Sequence, residues 1–154
     1  MKNLTRIPNS IYQLFAEGYR DPVVLAVIAT ELSFTSSWRR CGEYLYWLAL
    51  TFLDHPRADY VSVGIAQVQV RHWYAAGFCS RSRVWETLRS FASPQMNYAV
   101  CREVLRGLQG NANITLPAAY QFAGQVRRHY VRVVTRCYRS IVCLRDHSAI
   151  GWRA

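Results

Sequence analysis

From Pro22 to Thr30 the chain is apolar or uncharged at every position, and this run sets the frame for the rest. Asp21 stands before it as a helix cap, and Pro22 suits the first helical position, where no N–H is needed. Because the run is apolar on every face for more than two turns, it predicts a helix buried all round rather than an amphipathic one. Glu31 lies near its end and is the only ionisable side chain between Asp21 and Arg39.

Upstream, Ile11, Leu14 and Phe15 share one face of a helix that starts after Pro8 or Asn9 and ends at Gly18. Beyond Phe34, residues 35–42 read as a turn. Residues 43–53 then read as a second, very apolar helix, stopped by Asp54-His55-Pro56. That helix is too short to span a bilayer and is expected to pack into the core. The pattern changes at Tyr60. Val61, Val63 and Ile65 alternate with Ser62 and Gly64, which predicts extended chain over residues 60–70. After Ala66 the polar positions become Gln67 and Gln69, so a bend is expected near Gly64.

The C-terminal half carries helical spacing throughout. Residues 82–92 place Val84, Trp85, Leu88 and Phe91 on one face, and Ser93-Pro94 opens a helix that runs to Gln109 and stops at Gly110. Thr115 caps a short helix through Tyr120 that ends about Gly124. A last helix, residues 125–145, aligns Val126, Tyr130, Val133, Val134, Cys137, Ile141 and Leu144. Arg127, Arg128, Arg132, Arg136 and Arg139 lie largely off that stripe. With no repeat or linker, residues 1–154 read as one mainly helical domain with a short extended segment.

Composition narrows the partners. At 51% hydrophobic residues the chain is no disordered polymer, and its formal charge of +10 favours anionic partners: nucleic acid, acidic lipid or a negatively charged wall polymer. Five cysteines form no C-x-x-C pair and four histidines complete no zinc spacing, so no metal or cofactor is expected. Free thiols are the default, with one disulfide left open. The first residues lack the apolar core of a signal peptide, and no stretch reaches transmembrane length.

A carboxyl group in apolar surroundings resists ionisation, and a raised acid is what general-acid chemistry near neutral pH requires. The plainer reading of Glu31 is a helix-end residue or an ion pair. Two glutamines on an extended segment beside such an acid fit a sugar-binding cleft. Here the chain resembles the soluble lytic transglycosylase domain. Asp21-Pro22 through Glu31-Leu-Ser-Phe34 looks like that family's apolar helix ending in Glu-Ser-x-Phe, and residues 62–68, Ser-Val-Gly-Ile-Ala-Gln-Val, resemble its Gly-Leu-Met-Gln motif. Residues 97–105 are similar to its Asn-Ile-x-x-Gly-x-x-Tyr-Leu helix, and residues 118–124 to its Ala-Ala-Tyr-Asn-x-Gly segment. Tyr130-Val-Arg-Val-Val134 matches the Tyr-Val-x-x-Val that often follows. The motifs occur in the family's order over roughly residues 8–140. Leu32, Ala66, Cys101 and Gln121 depart from the family's Ser, Met, Gly and Asn, and the 43–53 helix stands as an insertion before Gly64.

The resemblance implies an α+β, lysozyme-like fold and cleavage of the β-1,4 bond between N-acetylmuramic acid and N-acetylglucosamine in peptidoglycan, with a 1,6-anhydro product. Glu31 would be the acid/base, and Ser62, Gln67, Asn97 and Tyr120 would bind substrate, Tyr120 approaching Glu31 through its hydroxyl. The partners implied are peptidoglycan strands and a cell-envelope assembly such as a secretion or conjugation system, in the periplasm or envelope. Three other readings stand beside it. The first is a goose-type hydrolase in which Asp59 holds a water. The second is a nucleic-acid binder using the arginines of the last helix. The third is a catalytically idle adaptor of the same fold.

Overall fold

The computed structural model describes residues 7–109, 114–122 and 128–151, with side chains described up to Leu108 and again over residues 114–122 and 128–146. The fold is mainly helical, with one small two-stranded sheet. Helix α1 (Asn9–Ala16) leads into α2 (Pro22–Phe34) and α3 (Ser37–Phe52). A 3-10 turn (Pro56–Tyr60) precedes strands β1 (Ser62–Val63) and β2 (Val68–Gln69). Then follow α4 (Val70–Ala75), α5 (Val84–Ala92), α6 (Pro94–Gln109), α7 (Leu116–Gln121) and α8 (Arg128–Gly151).

At the centre, α2 is buried at every position from Val23 to Thr30. The long α8 lies along it, and α6, α7 and α1 close its other sides. Its start is fixed twice. Asp21 Oδ1 accepts from the Val23 and Val24 amides, and the Asp21 amide donates to the Tyr98 hydroxyl at 3.0 Å. Along α8 the expected stripe faces inward: Tyr130, Val133, Val134 and Ile141 are buried, while Arg128, Arg132, Arg136 and Arg139 are exposed. Val126, Arg127 and Gly124 lie outside the described residues.

Three local expectations need correction. Residues 37–42 are helical rather than a turn, because Ser36 accepts from the Arg39 amide as an N-cap and starts α3 six residues early. Trp85 is exposed although it shares its predicted stripe with buried Phe91. The inward face of α5 rotates toward Thr87, whose hydroxyl donates to the Ser80 carbonyl. Third, α3 buries Trp47 and Leu50 but leaves most of its remaining apolar side chains in solvent. Trp47 reaches an aromatic centre in which Phe91 packs edge-to-face with Trp47 and Trp73 at 4.9 and 5.0 Å.

The extended segment is a tight hairpin pairing Ser62 with Gln69 and Val63 with Val68. Gly64 (φ +78°) and Gln67 (φ +52°) both adopt the left-handed region to close it. Asn97, fully buried on α6, clamps the loop from beneath. Its Oδ1 accepts from the Ala66 amide at 3.3 Å, and its Nδ2 donates to the Phe91 and Ser93 carbonyls at 2.8 Å each. A side chain on Gly64 would strike Asn97 Oδ1 at 2.0 Å, so Gly64 and Asn97 form one unit. Asn97→Ala should therefore destabilise the fold by roughly 2–4 kcal/mol, since it strands several buried backbone groups. Urea denaturation checks this, and a loss under about 0.5 kcal/mol would show that the clamp is not structural.

Candidate active site

Burial along α2 ends at Glu31. Thr30 is fully buried with its hydroxyl donating to the Ala26 carbonyl, whereas the next side chain emerges partly into a cleft of about 780 Å³. Its Oε1 accepts a hydrogen bond from the buried Tyr130 hydroxyl at 3.0 Å. Desolvation pushes the Glu31 carboxyl up to about 7. The Tyr130 hydrogen bond pulls the other way, and the nearby Glu43 charge adds to the rise. Burial likewise pushes the Tyr130 hydroxyl far above its ordinary value, so it acts only as a neutral donor. With Oε1 occupied, Oε2 is the oxygen left to hold a proton toward the cleft.

The other walls come from the hairpin, α3 and α7. Ser62 and Gln67 line the cleft, together with Phe34, Phe122 and Gln121. Gln67 Nε2 donates to Glu43 Oε2 at 2.8 Å and to the Gly64 carbonyl at 3.1 Å. Glu43 is in turn held by Arg39 Nε at 3.2 Å. A second carboxylate thus stands behind the cleft wall as the anchor of Gln67. It is the sole acidic residue of α3, on the opposite side of that helix from Leu45, and this isolation was the signal the sequence offered for it.

Three of the residues named from the sequence lie elsewhere. Asn97 is sealed beneath the hairpin and donates only to backbone, so it positions the loop and reaches no ligand. Tyr120 bonds to Thr135 Oγ1 at 3.1 Å, and the hydroxyl on Glu31 belongs to Tyr130. The reason is geometric: α8 runs along α2, which brings its first turn to the end of α2 at Glu31. Asp59 pairs with Arg81 in a neighbouring open cavity of about 450 Å³, lined also by Tyr74, Cys79 and Ser80.

The cleft does not end at Glu31. Arg71 lines both it and the Asp59 cavity, while His72, Val104 and Leu108 line both it and a further hollow of about 490 Å³. Such a chain of connected hollows suits an extended ligand better than a compact one. Arg39 and Arg71 give its wall positive charge; His72 is held toward its neutral form by burial and by Arg71. No group of three or more metal-ligating side chains occurs among the described residues, and no two of the five cysteines are bonded. No family model, curated protein or solved structure matches the chain.

Glu31 also links stability to pH. Its folded value lies above its unfolded one, so between about 4.5 and about 7 the folded state holds a proton the unfolded state has released. Stability falls across that window, is unpenalised below it and is fully penalised above it. Glu31→Gln should thus stabilise by on the order of 2–3 kcal/mol at pH 8 and by almost nothing at pH 4. Denaturation curves at the two pH values check this, and an equal effect at both would place Glu31 in water.

Proposed function

We propose that the chain is a peptidoglycan lytic transglycosylase with Glu31 as its single acid and base. What carries this reading is the protonatable Glu31 carboxyl, held near 7 at the mouth of an extended cleft with Tyr130 on one oxygen. The order of sequence motifs supports it. So do the positive wall of the cleft and the +10 charge of the chain, which suit an anionic polymer.

The chemistry follows from that carboxyl. Neutral Glu31 gives its proton to the glycosidic oxygen as that bond to the muramic acid C1 breaks and oxocarbenium character develops. The resulting carboxylate, steadied by the Tyr130 hydroxyl, removes the proton from the muramic acid 6-hydroxyl. That oxygen closes on C1, which yields the 1,6-anhydro ring and returns Glu31 to its acid form. Ser62 and Gln67, the latter fixed by Glu43, line the cleft and are the residues proposed to hold the sugar. A value near 7 serves both halves of the cycle, since the group must give and take the same proton.

Hydrolysis is the second reading, and the Glu43 carboxylate is the observation that favours it. A water-activating base would be Glu43 rather than Asp59, which faces a different cavity. Both Glu43 oxygens already accept bonds, from Arg39 and Gln67, so it is better suited to holding Gln67 than to taking a proton.

Mass spectrometry of products from purified peptidoglycan separates the two, because anhydro and reducing ends differ by one water. Anhydro ends are expected, with Glu31→Gln losing more than ~10³-fold in rate and Asp59→Asn losing little. Reducing ends from the wild type, together with a Glu43→Gln loss as deep as that of Glu31→Gln, would establish hydrolysis instead. Activity should also decline above pH 7 as Glu31 ionises. Tyr130→Phe should move that decline to higher pH, since the lost hydrogen bond was holding the value down. A decline unmoved by Tyr130→Phe would mean that another group controls the profile.

A further inference from the structure

Helix α3 is turned inside out. Arg40 and Glu43 lie on the side that faces the protein, and Arg39, 70% exposed, sits at the margin where it pairs with Glu43, whereas the stripe facing solvent carries no charge of its own. Around Leu45 (68% exposed) that side presents Trp38 (84%), Tyr46 (53%) and Phe52 (70%), continued by Leu53 (75%) just past the helix end. Trp38, Leu45 and Phe52 recur every seven residues and form one stripe about 20 Å long. Together these side chains leave roughly 700–800 Å² of largely apolar surface in water, more than a monomer ordinarily shows.

The geometry points to a second copy of this chain as the occupant, packed α3 against α3 about a two-fold axis near Leu45. The exposed area matches the ~800 Å² that each partner contributes to a standard interface. A two-fold contact requires a patch that complements itself. Leu45 lies near the middle of the Ser37–Phe52 helix, with large aromatics toward each end, Trp38 at one and Phe52 at the other. An antiparallel partner therefore sets the Trp38 end of one helix against the Phe52 end of the other. Close approach at the centre is permitted by Cys41, Gly42 and Ala49, all exposed on the same face, and a Cβ built on Gly42 meets nothing within 4 Å. No charge stands on the Trp38–Leu45–Phe52 stripe, and the one arginine at its margin, Arg39, is paired with Glu43. This favours a second copy over an acidic partner or a lipid surface, either of which would be met by free arginines. Because Glu43, which holds the cleft residue Gln67, lies on the opposite side of the helix from Leu45, both clefts of the pair stay open.

Sedimentation equilibrium of the full chain tests this. A dimer with micromolar or tighter dissociation is expected. It should tighten as salt rises from ~0.1 to ~0.5 M, because salt screens the repulsion of two +10 chains and leaves the apolar contact intact. Leu45→Glu places a charge at the axis twice and should weaken the dimer more than ~100-fold, with circular dichroism unchanged. In a Cys41→Ser, Cys143→Ser background, Leu45→Cys should join two chains under mild oxidation, whereas Arg132→Cys, on the exposed side of α8, should not. A monomer at every salt concentration would overturn the proposal, as would a dimer indifferent to Leu45→Glu. A monomer that floats with phosphatidylglycerol vesicles and loses that binding with Leu45→Glu would assign the same face to a lipid surface instead.

Discussion

Complete burial of α2 is the constraint on which the rest depends. A helix that is apolar on every side cannot lie on a surface, so four other helices must be recruited to cover it. The position where the covering stops is then chemically special. Glu31 is the first side chain past that edge: far enough in to lose much of its hydration, far enough out to reach the cleft. The same packing of α8 along α2 that hides Val27 and Ile28 also delivers Tyr130 to the carboxyl. Core and candidate site are one arrangement, and the cost of an acid that prefers to stay protonated is met by the apolar burial beside it.

The hairpin is the second fixed part. Two strands of two residues each cannot hold themselves in place in water. Here the loop is tied to α6 by Asn97 and to α3 through Gln67 and Glu43. Left-handed backbone at a non-glycine residue, as at Gln67, persists only when surrounding contacts determine it, and such positions gather at functional sites. The side-chain amide of Gln67 is accordingly aimed by both Glu43 and the Gly64 carbonyl.

Helix α3 serves both parts of the molecule and is fully covered by neither. Its inner side supplies Trp47 to the aromatic centre and Glu43 to Gln67 behind the cleft wall, and its outer stripe is left apolar. Of the charges it carries, Glu43 is satisfied by Arg39 and Gln67, whereas Arg40 has no acidic partner among the described residues and leaves its Nη1 buried without a hydrogen bond. The bare outer face then marks where the molecule ends only if nothing packs against it, and its area is that of an interface.

Periodicity and composition determined a good deal: the buried α2 and its Asp21-Pro22 start, the inward stripe of α8, the bend at Gly64, and the singular position of Glu31. These were legible because each rests on local rules of capping, on the 3.6-residue repeat, or on the rarity of an acid in an apolar run. Tertiary structure decided what depends on side chains distant in sequence. Tyr130 rather than Tyr120 meets Glu31, because the path of α8 sets which tyrosine arrives. Asn97 clamps a loop thirty-one residues away and not a sugar, and Asp59 turns to Arg81. Nor could the chain's pattern tell which face of α3 would be inward, since Arg40 and Glu43 would ordinarily mark the solvent side and here mark the inner one. Only the fit of Trp47 against Phe91 and the demand of Gln67 for Glu43 settle that rotation, and with it the face left open to solvent.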